Sequence, residues 1–512
     1  MELKVKTAHW SAGLPVAMLN RKTAENLGVH PGDRITIRTL SKKPKEMSTL
    51  IDTIEKHVGN GEISISNEIK RDLELRENQR VYVYLSESPN SVGFIKRKLL
   101  GEELNHQEIR EIIEDMVKNK LSEPEISVFV SAMYKNGMNF KETTSLIDAI
   151  LYSGERLKFR NKYVVDKHCI GGVAGNRTTP IVVSICAAAG LTFPKTSSRA
   201  ITSAAGTADC IEVLSPVEFS MEQLKKIVMK TGACLTWGGA LGMVPADSKI
   251  IKIEKMLKLD PVAQLLASIM SKKLAAGSKY ILIDVPYGKK AKVSLSKGRM
   301  LKRKFERLAK HFGVHMKVIL TKASEPIGNG IGPALEIQDV MDILNPKRSG
   351  PKDLREKALY LASLILEMTH KSKKGKGKLM AKEILESGKA WEKFNEIIKA
   401  QHGEVKDVEK AKYSHIIRSN HKGKINDIHN HNINMLARIA GCPLDKHSGV
   451  YLHHHVGDKV KHNEPLLTVY AESRPRLKEA LKFYCEKRPI TVNGYKRKNT
   501  EDKNSPCYKE VR

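Results

Sequence analysis

The sequence predicts a multidomain α/β protein: a β-rich N-terminal domain, a small all-helical domain, a large α/β domain with a central sheet, and a C-terminal α+β portion. Three observations lead there. The 512 residues exceed what one core organises, so several domains are expected. The apolar pattern changes along the chain, from alternating, to helical, to short apolar runs between helical segments. In that third region the runs are separated by small-residue turns, as strands and helices are in an α/β sheet.

Residues 1–87 contain "LPVAML", "DRITIRTL", "EISIS" and "RVYVYL", which alternate or run apolar between turn residues such as "HPGD". Residues 91–160 switch to helical spacing. There "EELNHQEIREIIEDMVKNKL" places apolar residues three and four apart, "SEPEISVFVSAMYKNGM" opens on a capping serine, and "NFKETTSLIDAILYSG" closes on glycine. Residues 161–410 form the α/β domain, with strand candidates "KYVVD", "LTFPKTS", "ACLTW", "YILIDVP" and "MKVILTK" and a later helix "DLREKALYLASLILEM". Short strands and turns return over 411–500, and 501–512 reads as a frayed tail.

A hydrophobic content of 41% excludes wholesale disorder. The net charge of +31 would concentrate nucleotides, phosphate or nucleic acid near the surface. The lysines are scattered through the helices, however, which suits a solvated coat, and "KSKKGKGK" (371–378) reads as a solvated loop. Seven cysteines without a CxxC pair suit a reducing compartment. The N-terminus lacks a signal-peptide core, and no apolar run reaches membrane-spanning length. A cytoplasmic protein that binds no membrane is therefore expected.

Three stretches carry chemistry. In "DKHCIGGVAGNRTTP" (166–180), Gly171, Gly172 and Gly175 admit close backbone approach between a strand and a helix, whose first N–H groups favour an anion. Lys167 adds a charge, and Thr178 and Thr179 add hydroxyls. Neither GxGxxG nor GxxxxGK[ST] is present, so a phosphate site and a ligand-free tight connection both fit. In "KTSSRAITSAAGTADCIEVL" (195–214), hydroxyls and Arg199 stand among small residues, a composition suited to several oxygens at once. Two such loops together point to one oxyanion pocket at the carboxyl ends of adjacent strands. In "KLDPVAQLLASIMSKKLAAGS" (258–278), Asp260, Gln264, Ser268 and Lys272 fall four apart on one helical face, facing a cleft or solvent. Lys292, after "YILIDVP", is a further anion contact. The histidines of "LHHHVGDKVKH" (His453, His454, His455, His462) alternate faces of a strand and lack completing ligands, so no metal is expected.

In this order the three stretches resemble the thymidine/pyrimidine-nucleoside phosphorylase family, and more closely its nucleoside-monophosphate branch. "DKHCIGGVAGNR" matches D-K-H-[SC]-x-G-G-x-x-G-N-[KR], "SSRAITSAAGTADCIE" matches a serine-arginine loop running into G-T-x-D-x-[LIVM]-E, and "DPVAQLLASIMSKKLAAGS" matches the third motif. The resemblance spans nearly the whole chain, including an N-terminal extension of about 85 residues.

It implies an active site between the helical and α/β domains, hinge closure and a homodimer. It implies phosphate binding by Lys167, Thr178, Thr179, Ser197 and Thr207. For the nucleotide it implies Gly172, Ser198, Arg199, Ala200, Ile201, Thr202, Ser203, Thr207, Ser268 and Lys292, with Lys272 matching a base-contacting lysine. Asp260 matches the proton donor. Inorganic phosphate would be a co-substrate, with no metal or organic cofactor.

Two departures bear on substrate. Cys169 stands where most members have serine, and a thiol is the weaker donor. Counting back from Ser268 to the place of the arginine that grips pyrimidines in the thymidine enzymes gives Ile253, which favours a nucleotide over thymidine. Thymidine or pyrimidine-nucleoside phosphorolysis is the alternative. A nucleic-acid-binding protein on a phosphorylase scaffold is the reading from another class.

Overall fold

The computed structural model describes residues 1–7, 15–200, 203–239, 242–288 and 291–493. The first six strands, β1 (Glu2–Thr7), β2 (Val16–Asn20), β3 (Arg34–Thr39), β4 (Glu46–Ile54), β5 (Glu62–Ile65) and β6 (Arg80–Leu85), close into a barrel in the order β1-β5-β2-β4-β3-β6. Leu3, Val5, Ile35, Ile37, Val81 and Val83 point inward by strand alternation, and closure removes exposed edges. Two short helices, α1 (Arg21–Leu27) and α2 (Asn67–Leu73), lie between strands. The strand signals read from sequence missed β1 and β4, whose polar residues dilute the alternation.

Helices α3 (Asn90–Leu99), α4 (His106–Val117), α5 (Glu123–Asn136) and α6 (Phe140–Tyr152) follow. Ser122 caps α5 in a box with Glu125, as its position predicts, and Asn139 caps α6 with Glu142.

The α/β portion runs β7 (Val165–Cys169), α7 (Thr178–Ala188), β8 (Phe193–Ser197), α8 (Thr207–Ile211), α9 (Met221–Thr231), β9 (Ala233–Trp237), α10 (Pro245–Leu257), α11 (Val262–Ala275), β10 (Tyr280–Tyr287), α12 (Leu295–His311) and β11 (His315–Lys322). Its sheet is parallel throughout: β11-β10-β7 on one side and β8-β9 on the other, joined by a parallel bridge between Val164 and Thr192. Parallel strands covered on both faces need continuous apolar runs, and β10 is buried from Tyr280 to Pro286. The strand predicted as "KYVVD" lies further along, so that Asp166 to Cys169 are themselves strand residues.

Downstream come β12 (Gly330–Ile331), α13 (Pro333–Leu344), and α14 (Lys352–Met368), α15 (Gly377–Glu386) and α16 (Lys389–Ala400), which pack on α7. The rest forms small antiparallel sheets from β13 (Tyr413–Arg418), β14 (Gly423–Ile428), β15 (Gly449–Leu452), β16 (Lys459–Val460), β17 (Pro465–Ala471) and β18 (Ile490–Val492), with α17 (Asn430–Ala440) and α18 (Arg474–Lys487).

Two compact units result: Met1–Gly154 with Val244–Ser271, and Glu155–Met243 with Lys272–Arg512. The barrel and helical segments form one unit, the C-terminal portion groups with the α/β portion, and 161–410 is not continuous. Helix α10 packs against α4, α5 and α6, so it belongs to the helical bundle. No linker composition marks that excursion, because α10 and α11 carry the same helical period as their neighbours. The tail 501–512 lies outside the described residues. Among the described residues, no helix is long and apolar enough to cross a membrane.

Candidate active site

The glycine loop begins where β7 ends. Lys167 lies inside the strand, buried, and its Nζ donates to Thr178 Oγ1 at 2.8 Å and to Thr179 Oγ1 at 3.3 Å. An ammonium only donates, so both threonine oxygens accept; the Thr178 hydroxyl donates in turn to Asn176 Oδ1 at 3.5 Å, while the Thr179 hydroxyl keeps its proton for another partner. Burial pushes the Lys167 amine below the ordinary lysine range, with the charges of Cys169 and Asp284 opposing the shift. Asp284 is fully buried in β10 opposite Cys169; its Oδ1 accepts from Thr321 at 2.6 Å and its Oδ2 pairs with Lys357 at 3.2 Å. Burial raises the Cys169 thiol and Asp284 adds to the rise, while the Asn176 amide donates to its sulfur at 3.4 Å. Two lysines share the buried Asp166 carboxylate, Lys195 at 3.1 Å and Lys273 at 2.9 Å.

Gly172 shows why the loop needs glycine. Its φ is +92°, and a Cβ would lie 2.6 Å from the Lys292 backbone nitrogen and 2.8 Å from the Lys292 Cβ. The sequence-predicted pair Gly172 and Lys292 is therefore in direct backbone apposition.

The second loop is organised by Asp209, whose Oδ2 accepts from the Ala200 and Gly206 backbone amides at 2.7 Å each. Ser203 donates to the Ala205 carbonyl at 3.0 Å. Arg199 grips Glu212 in a fork (2.6 and 2.7 Å), reaches Glu218 at 2.9 Å, and lies over the Trp237 ring. That fork, with Lys446 beside it, holds the Glu212 carboxyl down at about 2. The Ser197 hydroxyl is buried without a protein hydrogen-bond partner, which costs about 1–3 kcal/mol unless another group supplies one. Ser198 is exposed at the loop's start. Thr207 Oγ1 accepts from Arg177 at 2.7 Å. Ile201 and Thr202 lie outside the described residues.

The third stretch departs from the single polar face predicted for it. Proline at 261 disfavours helical backbone at the residue before it, so α11 starts at Val262 and Asp260 precedes the helix, half-buried. Gln264 is fully buried and donates to Asp247 Oδ1 at 3.0 Å, inside the first unit. Ser268 and Lys272 are half-buried one turn apart. Asp260 and Ser268 belong to the first unit; Lys272, Lys292 and both loops belong to the second. Ile253 is buried in the first unit, and the sequence holds no arginine between Arg199 and Arg299, so no shift of alignment within that span supplies a pyrimidine clamp.

The histidines disperse: His453 meets Thr468 at 2.9 Å, His455 meets Asn329 at 3.0 Å, and His454 faces Glu464 at 3.4 Å. Among the described residues no three histidine, cysteine or carboxylate side chains gather to hold a metal. The residues around the loops that sequence reasoning missed are Asp284, Lys357 and Glu336. They lie 100 or more residues downstream of the loop motif, and only the parallel pairing of β7 with β10 and the packing of α13 and α14 brings them near.

Residues 92–154 match the helical bundle domain of a glycosyl transferase family, residues 161–391 match its a/b domain, and residues 424–490 match the pyrimidine nucleoside phosphorylase C-terminal domain. The AMP phosphorylase of Pyrococcus furiosus is 44% identical over 96% of this chain and 98% of its own. That of Pyrococcus horikoshii is 46% identical and that of Methanococcus aeolicus 40% identical, with the same coverage. Among solved structures, the anthranilate phosphoribosyltransferase of Thermus thermophilus superimposes with a TM-score of 0.51 at 18% identity, covering 60% of this chain and 99% of its own; it shares the fold.

Proposed function

The chain belongs to the AMP phosphorylase family, and from that membership together with the paired oxyanion loops we infer that it cleaves AMP and other nucleoside 5′-monophosphates with inorganic phosphate. A phosphate oxygen bonds to ribose C1′ as the bond to the base nitrogen breaks, and the bonding pair leaves with the base. The products are ribose 1,5-bisphosphate and free base.

Lys167, Thr178, Thr179, Ser197 and Thr207 hold the attacking phosphate. The observation that carries this is the Lys167 ammonium bonded to both threonine oxygens, which leaves the Thr179 hydroxyl proton to donate to an anion and the Thr178 proton on a long 3.5 Å bond to Asn176 that an anion could replace. Fixed donors position the nucleophile, and phosphate charge offsets the cation developing at C1′. Asp260 protonates the departing base. Gly172, the loop from Ser198 to Ser203, Ser268, Lys272 and Lys292 bind the nucleotide. Lys292, whose backbone lies against Gly172, is the candidate beside the 5′-phosphate. Phosphate is a co-substrate, and the reaction needs no metal or organic cofactor. By resemblance the chain works as a cytoplasmic homodimer, which sedimentation at twice the chain mass would test.

The absence of arginine between Arg199 and Arg299 weighs against thymidine as substrate. The test is base release from AMP, CMP, UMP and thymidine, with and without phosphate. Phosphate-dependent release from the monophosphates but not from thymidine is expected; release from thymidine alone would overturn the assignment.

A further inference from the structure

The last residue of the glycine loop before α7, Arg177, points inward rather than toward solvent. Its side chain is 10% exposed and its partner Glu336, on α13, is 2% exposed. Arg177 Nε and Nη2 lie 2.8 and 2.6 Å from Glu336 Oε2. Nη2 also donates to the Ala205 carbonyl at 2.9 Å, and Nη1 donates to Thr207 Oγ1 at 2.7 Å. The other Glu336 oxygen accepts from the Gly332 backbone at 3.1 Å. Arg177 thus ties three separate pieces of the second unit: its own loop after β7, the loop after β8, and the start of α13.

We propose that Arg177, held by Glu336, is a positioning residue for the phosphate site, acting by orienting the Thr207 hydroxyl. A guanidinium has no acceptor, so the Thr207 oxygen must accept and its single proton turns away from Arg177. That narrows the rotation of the hydroxyl before phosphate arrives, and a pre-oriented donor binds an oxyanion with less reorganisation. The same logic governs Thr179 beside Lys167, so both threonines are turned toward donation by buried cations. Ala205 adds the second tether, fixing the backbone two residues before Thr207. Glu336 neutralises the charge and sets the plane of the fork, which no point charge would do. Arg177 acts through Thr207 and does not itself touch phosphate. The inference rests on the phosphate-site reading above.

The experiment compares steady-state kinetics of the full chain with AMP and inorganic phosphate in a cycle of variants. Removing the pair together, Arg177→Met with Glu336→Gln, avoids leaving a lone buried charge. The KM for phosphate should rise about tenfold or more, the loss expected for one oriented donor. The KM for AMP should change less than about threefold, a change below one kcal/mol. In a Thr207→Val background the same pair of changes should add less than about twofold to the phosphate KM, since the group it orients is gone. Should the pair variant fail to fold, Arg177→Lys serves instead. It keeps the charge but cannot reach three partners, so it should raise the phosphate KM about threefold in the native background and leave it unchanged beside Thr207→Val. Equal effects in both backgrounds, or a folded variant with an unchanged phosphate KM, would overturn the inference while leaving the phosphate-site reading intact. Wild-type turnover that ignores phosphate would overturn both.

Discussion

Replacing Gly172 with alanine tests the apposition of the glycine loop and Lys292. The new Cβ would sit 2.6 Å from the Lys292 nitrogen, about 0.8 Å inside the 3.4 Å at which ordinary contact begins. The obstruction is backbone, which cannot swing aside as a side-chain tip does. In addition, φ of +92° costs a residue bearing a Cβ roughly 1–2 kcal/mol. The loop or the Lys292 segment must therefore move by most of an ångström. Misplacement on that scale costs on the order of a hundredfold in rate where reacting groups must be aligned. The expected result is a fall in kcat/KM for AMP of about a hundredfold with a melting temperature lower by only a few degrees. Initial-rate adenine release and a thermal melt on the same preparation measure both. An alanine variant with wild-type kcat/KM and melting temperature would refute the placement of Lys292 against the loop.

Three further outcomes follow from the site. Asp260→Asn should lower kcat at least about a hundredfold while phosphate still shifts the melting temperature as in the wild type, because the amide lacks the transferable proton but keeps the shape; unchanged kcat would remove Asp260 from the mechanism. Cys169→Ser replaces a weak donor with a stronger one, so the phosphate KM should fall by about two- to fivefold, and a rise would show that the thiol does not face the anion. Burial pushes the Lys273 ammonium below the ordinary lysine range, with Asp166 opposing. An unfolded lysine titrates at about 10.4, so over a window below that pH the unfolded chain holds a proton that the folded chain has released. Stability from this group then rises with pH across that window and is lost again as pH falls through the lowered folded-state value. Denaturant melts should show wild-type stability gaining on Lys273→Met from pH 7 to 9.5, and a constant difference would contradict the depressed value.

Much of the chemistry was legible because it is local. The glycines at 171, 172 and 175 take the left-handed backbone that their spacing invites, and β8, β9, β10 and β11 fall on the apolar runs read as strands. Two kinds of information were not local. Asp260 and Gln264 match a helical spacing, but proline at 261 starts the helix after Asp260, and Asp247 holds Gln264 in the interior. The partners that set the loop's electrostatics, Asp284 across a parallel strand pair and Glu336 on α13, are brought close only by tertiary folding. The return of α10 to the helical bundle was equally silent, since burial of one amphipathic face looks the same against any neighbour.

Phosphate, not water, takes C1′ from the base. Phosphorus NMR of the full chain turning over AMP in inorganic phosphate reads this directly. One phosphate should disappear for each adenine released, with two new sugar-phosphate resonances from a single product, ribose 1,5-bisphosphate. Adenine release at constant inorganic phosphate, with ribose 5-phosphate as the only new signal, would contradict it.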